Sequence, residues 1–105
     1  MRLSPAERRA VEVANREAFP AGTRVLLFGS RLDDARGGGD IDLLVELPDT
    51  LPADEVVDRR TRFTARLYRL LDERRIDVVV ADATQHDARA VVDMARRQGI
   101  ELARA

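Results

Sequence analysis

Cysteine and tryptophan are absent from this chain, aromatic residues are scarce, and no long hydrophobic run occurs. Without cysteine, disulfides, thiol catalysis and cysteine-ligated zinc are excluded together. One tyrosine and three phenylalanines give no stacking platform for single-stranded nucleic acid. The 18 basic side chains are offset by 19 acidic ones, a net charge of -1, so long-range attraction to nucleic acid or to an anionic membrane is not expected. No segment resembles a signal peptide or is long enough to cross a bilayer, which makes a cytoplasmic location the default expectation. At 105 residues the chain is read as one domain, 1–105, with a single core and no separate specificity domain. The acceptor of any reaction would then be chosen elsewhere. No internal repeat or low-complexity region is visible.

What is present is concentrated between Val25 and Glu46. An apolar strand, Val25 to Phe28, runs into Gly29-Ser30; a polar connection with three consecutive glycines follows; a second apolar strand then opens with Asp40-Ile41-Asp42. Side chains alternate faces along a strand at a rise of about 3.3 Å per residue, so Asp40 and Asp42 share a face with Cα atoms roughly 7 Å apart. Ile41, Leu43, Val45 and Leu47 point the other way and are expected to bury against helices, leaving the carboxylates on an open face. Paired carboxylates suit a hard divalent cation, whose remaining ligands are waters or substrate phosphates; a solvated strand edge is the plain alternative. Glycine permits a tight turn and close backbone approach, and Ser30 offers its hydroxyl and neighbouring N–H groups to a phosphate or serves as an ordinary helix N-cap.

Elsewhere the pattern is helical. Ser4-Pro5-Ala6-Glu7 reads as a capped helix start with a capping box, and that helix carries Val11, Ala14 and Ala18 on one stripe and ends near Phe19-Pro20. A short helix is expected within Ser30 to Gly39. A long helix is expected from about Ala53 to Glu73, with Val56, Phe63, Leu67, Leu70 and Leu71 toward the sheet. Its Arg59, Arg60, Arg62, Arg66 and Arg69 are read as solvated and offset by Asp54, Glu55, Asp58 and Asp72, or as a docking surface for an acidic partner. Ile76 to Ala81 is a third strand, where the Asp77 carboxylate is costly beside buried valines unless paired with Arg74 or Arg75 or metal-bound. A last helix begins near Thr84 or His86, with Val91, Val92, Met94 and Ala95 apolar and Gly99 as its stop, and Ile100 to Leu102 adds a short strand. His86 is read as a surface residue.

Leu27-Phe28-Gly29-Ser30, an arginine-containing connection and Asp40-Ile41-Asp42-Leu43-Leu44-Val45 together resemble the signature of the nucleotidyltransferase superfamily, whose core is similar to the DNA polymerase beta palm. The likeness spans Thr23 to about Ala81, and the chain's size resembles the minimal members called MNT proteins, antitoxin partners of HEPN-domain ribonuclease toxins. The family commonly carries Gly-Ser-x-Ala-Arg-Gly, whereas Leu32-Asp33 stand here in place of Ala-Arg, with Arg31 and Arg36 as substitutes. The resemblance implies an α/β (α+β) fold, a small mixed β-sheet packed with helices. It also implies strands one and two antiparallel, strands two and three parallel, and the long helix as the right-handed crossover between them.

Further implications concern chemistry. The resemblance implies transfer of AMP from ATP to a hydroxyl, a tyrosine of a HEPN-type toxin, with two Mg2+ ions held by Asp40, Asp42 and Asp77 and the β- and γ-phosphates seated by Gly29 and Ser30. The three carboxylates should repel one another and carry raised pKa values until metal binds. Two rival readings stay open: an antitoxin that neutralises by occlusion without catalysis, and a nucleotidyltransferase for a small aminoglycoside-type acceptor. Direct nucleic-acid or membrane binding is not expected, and a homo- or hetero-oligomer is open.

Overall fold

The computed structural model describes residues 3–29, 40–71 and 75–105. The expected short helix between Ser30 and Gly39 lies outside the described residues. Helix α1 (Pro5–Ala18) starts as its sequence requires. The Ser4 side chain accepts from the Glu7 N–H at 3.1 Å and Glu7 reaches back to the Ser4 N–H at 3.0 Å, which satisfies two of the unpaired donors of the first turn. After a turn come β1 (Arg24–Phe28) and β2 (Ile41–Leu47), then α2 (Ala53–Leu70), β3 (Ile76–Asp82), α3 (Ala90–Gln98) and β4 (Ile100–Arg104).

Among the described residues the strands form one mixed sheet in the order β3-β2-β1-β4. β1 runs antiparallel to both β2 and β4, while β2 and β3 are parallel. The parallel pair requires a crossover, and α2 provides it. No described helix is long and apolar enough to cross a membrane.

The two sheet faces bury different partners. Val25, Leu27, Ile41, Leu43, Val45 and Leu47 face α1 and α2 and meet Val11, Ala14, Phe63 and Leu67. Within this layer the Phe19 and Phe63 rings lie 5.2 Å apart at 55°, a tilted arrangement that aromatic pairs favour. On the opposite face Leu26, Phe28, Leu44 and Ala81 pack beneath Val92 and Ala95 of α3. The aspartate face of β2 is therefore open only at its beginning, because α3 closes over it from Leu44 onward. Beyond Leu44, Glu46 is 1% exposed in that covered layer. Its carboxylate accepts from Arg96 Nε at 2.7 Å and from an Arg96 terminal nitrogen at 3.1 Å, a fork-to-carboxylate contact suited to a buried charge.

Several expectations change at element ends. α2 ends at Leu70, and the Leu71 N–H bonds the Leu67 carbonyl as the chain turns extended. Leu71 is buried while Leu70 points outward, 40% exposed, because the extended cap residue takes the inward position. α3 begins at Ala90 rather than near Thr84 or His86. The Asp82 side chain accepts from the Thr84 N–H and hydroxyl, and Asp87 accepts from the Arg89 N–H; such local side-chain bonds compete with helical pairing. Met94 is exposed although Val92 and Ala95 are buried, since a nine-residue helix presents only a narrow stripe to the sheet. Gly99 does close α3, but in an extended conformation (φ -67°). A Cβ there would come within 2.4 Å of the Ala95 carbonyl and against Leu26, so space rather than handedness selects glycine.

The arginines of α2 are more than a solvated face. Arg59 pairs with Glu55 and donates to the Ala18 carbonyl, Arg66 pairs with Glu17, and Arg62 pairs with Asp58. Arg60 donates to the Val78 carbonyl and Arg89 to the Val80 carbonyl, at 2.9 and 2.8 Å, while the Tyr68 hydroxyl accepts from the Ile76 N–H at 3.0 Å. The free edge of β3 is thereby capped by side chains, which discourages pairing with another strand.

Replacing Arg96 by Met would strand the buried Glu46 carboxylate. A loss of about 3–5 kcal/mol is expected from urea unfolding at neutral pH; a loss below about 1 kcal/mol would contradict this account of the pair.

Candidate functional site

Strand geometry builds the site. In the antiparallel register Phe28 opposes Asp42, and in the parallel register Asp42 opposes Asp77 and Ile41 opposes Ile76. The end of β1, the start of β2 and the start of β3 consequently meet at one corner of the sheet. Asp42 and Asp77, being directly paired across a parallel ladder, point to the same face, the face left open below α3. The Ile41 N–H bonds the Arg75 carbonyl at 3.1 Å, which extends the ladder to the residues preceding both strands. Asp40 lies one step before Ile41, on the same face as Asp42.

Gly29 turns the chain at the end of β1 with φ +81°, a region that L side chains rarely adopt. A Cβ on Gly29 would sit 2.4 Å from Asp42 Oδ2 and 3.1 Å from Asp42 Cγ. Glycine is thus required twice over, by conformation and by the Asp42 carboxyl pressed against its backbone. The Gly-Ser turn and the Asp-x-Asp strand are in direct contact at this point.

The electrostatics are those of crowded acids. The Asp42 pKa is raised, first by burial, then by the Asp77 and Asp40 charges and by a hydrogen bond with the Asp77 side chain, against a smaller opposing pull from Arg75. Among the described residues Arg75 is the cation at this corner, with its Nε 3.3 Å from Asp77 Oδ2 and 3.9 Å from Asp40 Oδ2. Asp77 therefore does form the ion pair with Arg75 that its position suggested, while also meeting the other aspartates.

Asp40, Asp42 and Asp77 are hard oxygen donors brought to one corner, with Arg75 beside Asp40 and Asp77. That chemistry fits a divalent cation. Among the described residues no three acidic or histidine side chains are gathered into a ready-made cation cage; register sets Asp42 and Asp77 side by side, with Asp40 at the same corner. Ser30, Arg31 and Arg36, expected to contact phosphate, lie outside the described residues. His86 is remote from this corner in register, since it follows the far end of β3.

Two contacts were not anticipated. The Arg75–Asp40 approach follows from parallel register, in which the residue before β3 stands opposite the residue before β2. Glu46 paired with Arg96 had a visible signal, a lone acid inside the run Leu43-Leu44-Val45-Glu46-Leu47, but its partner is 50 residues away.

The family described as "Nucleotidyltransferase domain" matches residues 9–100. No curated protein matches the chain. A crystal structure described as the toxin–antitoxin with AMP-PNP superimposes with a TM-score of 0.63 at 24% identity, covering 90% of this chain and 71% of that one. A mutant of the toxin–antitoxin MntA–HpeT gives a TM-score of 0.60 at 24% identity, covering 91% of this chain and 70% of that one. These likenesses establish the fold, a mixed sheet with helices of the expected nucleotidyltransferase type.

Two outcomes are expected at this corner. Gly29→Ala forces a side chain into a left-handed turn and onto Asp42, and should cost about 1–2 kcal/mol of stability by chemical unfolding. The Asp42 pKa is raised above its ordinary value of 3.8, so the folded protein binds more protons than the unfolded chain and stability falls as pH rises through that window. Asp42→Asn should therefore melt higher than wild type at pH 7, with the gap closing as the pH is lowered toward 3.8.

Proposed function

Because the chain belongs to the nucleotidyltransferase domain family, we propose that it transfers AMP from ATP to a hydroxyl, a tyrosine of a HEPN-type toxin, and acts as that toxin's antitoxin. The observation that carries this reading is the contact of the Gly29 turn with Asp42, which is itself paired in register with Asp77. A phosphate-approaching turn and the acidic strand ends then address the same small volume. The antitoxin part is supported by the fold shared with two toxin–antitoxin structures, one of them with AMP-PNP.

Asp40, Asp42 and Asp77 would hold two Mg2+ ions, which when bound neutralise the triphosphate and ease deprotonation of the attacking hydroxyl. In this reading Asp77 would also accept the proton of the acceptor hydroxyl. Gly29 brings no side chain of its own to the turn, which lets its backbone approach the phosphates closely. Ser30, Arg31 and Arg36 complete the phosphate contacts on sequence grounds alone. Bond formation joins the tyrosine oxygen to the α-phosphorus, and pyrophosphate leaves with the electron pair of the broken P–O bond.

Calorimetric titration of ATP with and without Mg2+ tests the nucleotide site. Magnesium-dependent binding by wild type is expected, with at least a tenfold loss in the folded Asp42→Asn variant; equal binding by both would overturn the assignment. Co-expression with the cognate toxin separates catalysis from occlusion. Wild type should leave AMP on a toxin tyrosine and permit growth, and an Asp42→Asn variant that still neutralises fully would favour the occluding antitoxin.

A further inference from the structure

Arg75 sits where the proposed site needs positive charge. It directly precedes β3, and the parallel register sets it opposite Asp40 and next to Asp77. Its Nε lies 3.3 Å from one carboxylate and 3.9 Å from the other, close enough to bridge two groups that otherwise repel. Arg75 is 66% exposed, against 48% for Asp40 and 45% for Asp77. It lies on the open side of the corner with no described packing to hold it there. An exposed ion pair of this kind is weak. The guanidinium is therefore removable without disturbing β3.

Resting on the reading of this corner as a divalent-ion site, we propose that Arg75 is a displaceable internal cation that bridges Asp40 and Asp77 until a divalent ion takes its place. The two states share the same carboxylates and differ in which cation neutralises them. An ion arriving at Asp40 and Asp77 competes with the guanidinium for the same oxygens, and Arg75 swings into solvent as it binds. Its long side chain makes that motion local to one residue. The bridge offsets part of the repulsion between the aspartates, and it weakens the site for free metal. Metal accompanied by a triphosphate, which brings its own oxygen ligands, is selected over metal alone.

The test uses the full chain and Mn2+ alone as the probe, with affinity read by calorimetry and by the Mn2+-induced rise in melting temperature. Removing one solvent-exposed charge at this separation, screened nearly as in water, is worth a factor of about 3–10 in affinity. Arg75→Gln should bind Mn2+ tighter by that factor, with a larger melting-temperature rise than wild type. Arg75→Lys, which keeps the charge without the planar fork, should stay within about twofold of wild type. Arg104→Gln removes an equal charge beside Arg24, at the end of β1 away from Gly29, and should change nothing. Unchanged Mn2+ affinity in folded Arg75→Gln, with wild type binding normally, overturns the displacement while leaving the metal site standing. Equal tightening by Arg104→Gln also overturns it, since net charge would then be the cause. Wild type that binds no Mn2+ overturns the metal site and this inference together.

Discussion

The parallel pairing of β2 with β3 is the constraint on which the rest depends. Ile41 against Ile76 and Leu43 against Val78 bury their side chains on the face covered by α1 and α2, and that burial sets the register. A slip of one residue would turn the aspartates into this core and the isoleucines out of it. Hydrophobic pairing thus places Asp42 beside Asp77, although neither aspartate contributes favourably to the pairing. The carboxylates are held at one corner by the apolar side chains on the other face.

Arginine does much of the remaining structural work. All 18 cationic side chains are arginines, and many serve main-chain or buried acceptors rather than solvent. Arg59 reaches the Ala18 carbonyl across α1 and α2, and Arg60 and Arg89 close the β3 edge. Arg96 neutralises Glu46 and also donates to the Asp82 carbonyl at 3.1 Å. A planar fork with several donors can satisfy two acceptors at once, which a lysine ammonium does less well in fixed geometry. This reinforcement surrounds the strand that carries Asp77, so a site built from repelling acids rests on a well-tied edge.

Stability and chemistry pull in opposite directions at the site. Gly29 adopts a left-handed conformation that L side chains rarely take, and Asp42 carries a raised pKa first through burial and then through neighbouring acids. The raised pKa lowers the stability of the isolated protein at neutral pH. The cost is confined to a few side chains because α3 stops short of the corner and leaves it to solvent, while Leu44 and Glu46 immediately beyond are sealed.

Sequence alone determined the order of elements, the capped start of α1, the alternation along β2, and the aspartates and glycine that meet at the corner. These follow from local rules: side-chain period, cap chemistry and the conformational freedom of glycine. The mixed topology was legible too, once the glycine turn and the three aspartates were required to meet. Tertiary structure decided what depends on distant partners. It set Leu70 outward and Leu71 inward, delayed α3 to Ala90, and covered most of the aspartate face. It also matched Glu46 with Arg96 and brought Arg75 between Asp40 and Asp77. Periodicity reports which face a residue occupies, whereas the pairing of charges depends on strand register and helix packing, and those exist only after the chain has folded.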